Sequence, residues 1–486
     1  MSCTTILVGK KASYDGSTMI ARTDDGHFDV KKLVVVKPDD QPRKYKCVRS
    51  QLELELPDKP LRYTACPNVD PSNGFWGATG INEANVGMTA TETISSNPRV
   101  MGADQMVTPR KAGDSEARDI PGGIGEEDIL SIVLPYIHSA RAGVLRLGKL
   151  LEQYGTYECN GIAFNDAEEI WWLESIGGHH WIARRVDDEA CVIMPNQFGL
   201  DHFDFDDAYG EGRSCLCSPD LKEFMQKHFL YVGKDLDYNP RMAFGSQTDF
   251  DHAYNTPRAW FMGRYLCPTR YHWDGPNADY KPESDNIPWA FVPERKLTVE
   301  DIKYLLSSYY QGTPYNPYSV SSEQRGKYRP IGISRTGVTA LCQIRGYMPA
   351  PIQAVEWICF GSTSFNAFLP FYSNVDKIPA YLGEVEKDPS TGNLYWNSRL
   401  IAALADAHYA ATIMQIERYQ NAVPNHAYRI LNEYDKRMIE SGSYSLTEQA
   451  NEDLTDMAKR ETAACLKNVL RVTSEQMKNG YNRSDN

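Results

Sequence analysis

The chain has 486 residues, 42% of them hydrophobic, and its 64 acidic against 51 basic side chains leave a net charge of −13. That balance argues against nucleic acid as a partner, because phosphate binding draws on clustered Lys and Arg. No run approaches the ~18 consecutive apolar residues of a membrane span, and the first twenty residues lack the apolar stretch and cleavage site of a secretory signal, so a cytoplasmic location is expected. Eleven scattered cysteines, an odd number, suit reduced thiols better than a disulfide framework. The one close pair, Cys215 and Cys217, lacks the second Cys or His pair of a zinc site.

In chain order, an apolar β-type run, Cys3-Thr4-Thr5-Ile6-Leu7-Val8, is followed by the polar stretch Lys10 to Gly16 and then by Thr18 to Arg22, which makes a hairpin. Further strands are expected at Lys32 to Lys37, Val86 to Thr93, Ile162 to Phe164, Ile170 to Glu174, His180 to Val186 and Ala190 to Met194. Between them, apolar residues at helical spacing predict a helix over Glu126 to Leu151, kinked at Pro135. The stretch Asp201 to Pro293, rich in Asp, Tyr, Pro and Gly, reads as long connections with short helices. A helix begins at Thr298, with Asp301 three residues on as its capping partner. A second β region is expected from Gly337 to Phe360, and residues 397–478 read as helical, interrupted at Pro424 and near Ser441-Gly442, with a polar frayed end after Lys478. No linker composition divides the chain, so one large α+β domain, 1–486, is the simplest organisation.

Cys3 carries the strongest chemical signal. With Met1 and Ser2 removed, it would hold a thiol that titrates near ~8.5 and an α-amine near ~7.7 to 8.0, a nucleophile and a base in one residue. The structural alternative is a buried Cys at a strand start. A two-residue turn at Asp15-Gly16 would leave Arg22 about 20 Å from Cys3. A wide loop over Lys10 to Gly16 pairs Gly9 with Ser17 and Cys3 with Thr23, bringing Arg22, Asp24 and Asp25 beside the thiol. Arg22 would then lower the thiol pKa, and a carboxylate would orient the amine. Strict alternation puts Asp24 on Arg22's face, while Asp25 sits at the turn before Gly26, and the sequence leaves both open.

Several segments together resemble one family. They are Cys3-Thr4-Thr5, Asp15-Gly16-Ser17, Ala21-Arg22-Thr23-Asp24-Asp25, the run from Gly80 to Glu92, Pro195-Asn196-Gln197-Phe198, Tyr254 to Trp260 and Trp357 to Ser362. In that order, and with a near-terminal Cys, the chain resembles the dipeptidase A family of lactic acid bacteria, relatives of the secernins and more distantly of penicillin V acylase and bile salt hydrolase. The resemblance implies an N-terminal-nucleophile hydrolase fold, an αββα sandwich of two antiparallel sheets between helical layers, and a cysteine-type dipeptidase that needs no cofactor or metal. It also implies Cys3 as nucleophile, Arg22 and Asp25 as matches to an Arg-x-x-Asp motif, Asn196 as oxyanion donor and Arg258 as a second active-site Arg.

At Glu92 the sequence departs from the acylases, which carry a second oxyanion Asn there; an ionised Glu cannot donate, so Glu92 is expected to meet the ammonium of a dipeptide. Processing needs cleavage between Ser2 and Cys3 as well as loss of Met1. The competing readings are an N-acyl amide hydrolase and a non-catalytic scaffold; a His-Glu-x-x-His metallopeptidase motif does not occur in the sequence. His179-His180 and the acidic run Asp201 to Asp207 read as turn and loop, and Trp171-Trp172 as core. A homo-oligomer is compatible with the sequence.

Overall fold

The computed structural model describes residues 3–113, 116, 118–233 and 238–477; Met1, Ser2 and the polar end from Lys478 onward lie outside the described residues. Two antiparallel sheets dominate. The first has seven strands in the order Ala290–Phe291, Cys191–Met194, Thr4–Val8, Thr18–Asp24, Val338–Ile344, Ala354–Phe360 and Leu369–Tyr372. The second has six, in the order Cys215–Cys217, His180–Arg185, Ile170–Ile176, Asn160–Asn165, Gly87–Thr93 and Thr79–Ile81.

Successive side chains of a strand point to opposite faces, and in these strands both faces are apolar. Leu7, Ile20, Cys342 and Ile344 of the first sheet meet Ala163, Trp172 and Ile182 of the second in one core. Ile6, Val8, Met19, Ala21 and Leu341 point the other way, into a core shared with Ile302, Ile401, Val423 and Leu454 of helices. On the far side of the second sheet, Phe164, Trp171 and Leu173 pack on Ile129, Val144 and Leu147. The fold is thus mixed α and β, with antiparallel sheets facing each other, helices outside both, and a helical C-terminal portion.

Most expected strands form, including the β region from Val338 to Phe360, and Thr298 with Asp301 makes a reciprocal capping box on the helix Val299–Leu306. Two helix expectations need correction. The predicted helix over Glu126 to Leu151 is not kinked but divided into Glu126–Val133 and Ala140–Tyr154, because the turn around Pro135 tightens and Ser139 caps a new start. Pro424, conversely, interrupts nothing: Tyr409–Ser441 runs through it for 33 residues, and Gly442, at φ 64°, ends it. Burial of Thr412, Ile416, Tyr419, Val423 and Ala427 along one face holds that helix across the missing hydrogen bond.

Candidate active site

The hairpin places the first site residues. Thr4 pairs with Thr23, Thr5 with Arg22 and Val8 with Met19. The connection is wide, as expected, but the register lies one residue away from the expected pairing of Cys3 with Thr23 and Gly9 with Ser17. A one-residue slip exchanges faces, and here it matters: Arg22 and Asp24 share the inter-sheet face with Cys3, while Asp25 turns the other way. The displacement comes from the loop, whose Lys11 donates to the Asp188 carbonyl and whose Ala12 and Tyr14 bond to Leu297.

Arg22 is the hub. Its Nη2 donates to Cys3 Sγ at 3.0 Å and to Glu126 Oε1 at 2.8 Å, and its Nη1 donates to the carbonyls of Ala78 at 3.0 Å and Ala90 at 2.5 Å. Asp24 lies 3.7 Å from Arg22 Nη2 and 2.5 Å from Lys31 Nζ. Burial alone would discharge Arg22, but the negative character of Cys3, Asp24 and Glu126 holds it firmly protonated. Asp24 is held below its ordinary range: burial opposes its charge, but Lys31 and Arg22 outweigh it. Burial raises Glu126, with Arg22 working against that rise.

Cys3 is fully buried. Burial pushes its thiol up to about 11; Arg22 pulls it down, and Asp24, Glu126 and Asp25 push it further up. Arg22 thus lowers the thiol as expected, but in the chain that still carries Met1 and Ser2 desolvation exceeds the attraction of one guanidinium and the net shift is upward.

Asp25 accepts from Arg329 Nη2 at 2.5 Å, from Thr336 Oγ1 at 2.7 Å and from Thr23 Oγ1 at 3.2 Å. Arg258 lies beneath the nucleophile strand. Its Nη1 donates to the Cys3 carbonyl at 2.6 Å and to Thr4 Oγ1 at 2.7 Å. Its Nη2 reaches the Pro195 carbonyl, Asn196 Oδ1 and Asn255 Oδ1, and its Nε the Tyr254 carbonyl. Five N–H groups face six acceptors, so this guanidinium is consumed inside the protein. Burial and the like charge of Arg329 lower it to about 9.

Asn196 has φ 65° and sits at the end of the strand Cys191–Met194. Its Nδ2 donates to the Thr93 carbonyl at 2.9 Å, and its backbone N–H to Glu92 Oε1 at 2.5 Å. Glu92 reaches this position through a shift in register between Thr89 and Glu92 in the pairing of Gly87–Thr93 with Asn160–Asn165; in plain alternation it would follow Met88 and Ala90 toward the helices. Burial pushes its carboxyl up to about 8, against the pull of Thr5, Arg258 and the Asn196 amide. Burial thus works against the ionised partner for an ammonium that the sequence suggested.

The structure brings Cys3 directly to Arg22 and Arg258, and Arg258 to Asn196; Asp25 is linked to the hairpin through Thr23 and to Arg329. Glu126 and Lys31 were missed, whereas Asp24, left open beside Asp25 in the sequence, is the one of the two that lies next to Arg22. Asp24 and Lys31 lie close to Arg22 in sequence, but nothing local to Glu126 in the sequence announces that a residue 104 positions away will pair with Arg22. Trp171 and Trp172 are fully buried, as core should be. Among the described residues no group of three or more His, Cys, Asp and Glu is arranged to hold a metal ion, and no helix is long and apolar enough to cross a membrane.

A thiol held by a buried Arg, with carboxylates around it, defines a site of cysteine-hydrolase character. Residues 2–422 match the model of Peptidase family C69. The chain is 49% identical to a "Dipeptidase" of Bifidobacterium longum, with all of both chains covered, and 48% identical to a "Probable dipeptidase A" of Streptococcus pyogenes serotype M18 over all of this chain and 98% of that one. It is 41% identical to a "Dipeptidase A" of Lactobacillus helveticus, over 96% of this chain and 95% of the other. The chain belongs to Peptidase family C69, and it is a peptidase.

Proposed function

We infer that this chain is a cysteine-type dipeptidase in which Cys3 Sγ attacks the peptide carbonyl to form a thioester. The observation that carries this reading is the 3.0 Å contact from Arg22 Nη2 to Cys3 Sγ inside a buried carboxylate network, in a chain whose full-length relatives are named dipeptidases. The sheets and helices are read as one domain with the αββα sandwich of N-terminal-nucleophile hydrolases, supported by two antiparallel sheets face to face and helices on both outer sides. Free, undisulfided cysteines throughout suit a cytoplasmic enzyme.

Cleavage of the Ser2–Cys3 bond frees the α-amine, which takes the thiol proton and later gives it to the leaving amino acid. Arg22 stabilises the thiolate, and Asp25, fixed by Arg329 and Thr336, orients the amine. Asn196 Nδ2, anchored on the Thr93 carbonyl, donates to the tetrahedral oxyanion, a contribution of about 3 to 4 kcal/mol for one well-placed donor. Arg258 is a positioning residue: it holds the Cys3 carbonyl and Asn196 Oδ1 rather than reading a substrate terminus. Water then hydrolyses the thioester; the scheme uses no cofactor.

Intact-mass measurement combined with dipeptide assays of wild type and Cys3→Ser tests the scheme. The expected result is a mature chain beginning at Cys3, turnover of free dipeptides, and none in Cys3→Ser. An active protein that retains Ser2 overturns the free-amine mechanism; faster turnover of N-acylated amides than of free dipeptides makes the chain an acylase instead.

A further inference from the structure

Between the helices Val299–Leu306 and Tyr409–Ser441 lies a cavity of about 390 Å³, and none of its lining residues takes part in the network around Cys3. That volume falls in the range of sites for small organic ligands, which are typically apolar with a few placed polar groups. Apolar walls are supplied by Trp357, Phe368 and Ile413. Glu300 and Lys303 stand three positions apart on the first helix, so they share one face. They form no ion pair with each other, and among the described residues Lys303 Nζ has no carboxylate within salt-bridge distance. Burial draws Lys303 down to about 8, so it remains mostly charged at neutral pH.

Opposite, Glu417, Gln420 and Pro424 follow the second helix along one side. Pro424 has no N–H to give the Gln420 carbonyl four residues before it. The cavity therefore holds an ammonium at one place and acceptors at others, separated by apolar surface.

We propose that this cavity is a second ligand site that takes a free α-amino acid with an apolar side chain, its carboxylate on Lys303 and its ammonium toward Glu300, Glu417 and the Gln420 carbonyl. The ligand class stands on the cavity alone; that such molecules are also products of the enzyme rests on the dipeptidase reading above. A plain carboxylate matches only Lys303 and meets two acidic side chains, whereas a zwitterion matches both signs. The apolar body would lie against Trp357 and Ile413, where burial of carbon contributes about 25 cal/mol per Å².

Isothermal titration calorimetry of the full Cys3→Ser chain with leucine, leucinamide and 4-methylpentanoate tests the proposal without turnover. Leucine should bind saturably and one to one, with the two truncated analogues at least tenfold weaker. Lys303→Met should weaken leucine at least tenfold and leave leucinamide unchanged, and Ile413→Trp, which fills the cavity, should abolish binding in a chain that melts normally. No saturable heat with leucine overturns the proposal, as does leucine binding that Lys303→Met leaves unaltered, since that heat would come from the Cys3 site. Loss of dipeptide turnover in wild type with leucine binding intact would refute the enzymatic reading and spare this one.

Discussion

Replacing Glu92 with Gln keeps the shape of the side chain and its acceptor for the Asn196 N–H while removing the titrating proton. In the unfolded chain this carboxyl releases its proton near its ordinary 4.5, and in the folded chain near 8, because burial penalises the charge. Between those values the folded state binds more protons than the unfolded one. The stability that the group contributes is therefore fully present below pH 4.5 and is lost as pH rises toward 8. Each pH unit in that window is worth about 1.4 kcal/mol, so the loss reaches the order of 4 kcal/mol. Urea denaturation of wild type and Glu92→Gln across the window should give curves that diverge, the variant gaining on wild type with each step in pH, whatever offset the amide adds. At neutral pH the variant should also keep its preference for free over N-acetylated dipeptides, since burial works against the native carboxylate there. A pH-independent stability difference would show that Glu92 is ionised in the folded protein; loss of the preference would restore it as the ammonium partner.

Three further perturbations follow from the buried network. Arg22→Met should lower kcat/KM by about two orders of magnitude or more and destabilise the chain by roughly 3 to 5 kcal/mol, because Glu126 and two carbonyls lose their donor; dipeptide assays and denaturant midpoints read both. Glu126→Gln removes a negative neighbour that raises the Cys3 thiol, so alkylation of Cys3, followed by peptide mass mapping, should move to lower pH. Asp435→Asn weakens the buried pair that Asp435 makes with Arg345 at 2.6 and 3.2 Å; a loss of up to about 3 kcal/mol in stability, with unchanged kcat per folded molecule, is expected.

What the sequence revealed was local. The opening hairpin, the capping box at Thr298 and the core tryptophans follow from alternation, capping chemistry and apolar size, and all can be read within a few residues. The one-residue shift of the hairpin depends on Asp188 and Leu297, far along the chain, and no pattern inside Lys10 to Gly16 encodes it. The same limit hid Glu126 and the inward turn of Glu92, which needs a break in strand pairing. The upward push of burial on Cys3 and Glu92 was hidden for a related reason: desolvation is set by the whole fold, whereas a neighbouring charge, such as the pull of Arg22 on Cys3, can be guessed from spacing. Pro424 shows the converse, a strong local signal overridden by a long buried helix face.

Arg258 gives the site a mechanical property beyond its charge. One rigid, planar group grips the peptide unit of the nucleophile and the turn that carries Asn196. In the proposed scheme the attacking atom and the oxyanion donor thus ride on a shared bracket. The strands Thr4–Val8 and Cys191–Met194 are neighbours inside one sheet, so the bracket ties two adjacent strand ends, and preorganisation at this site is a matter of their relative placement.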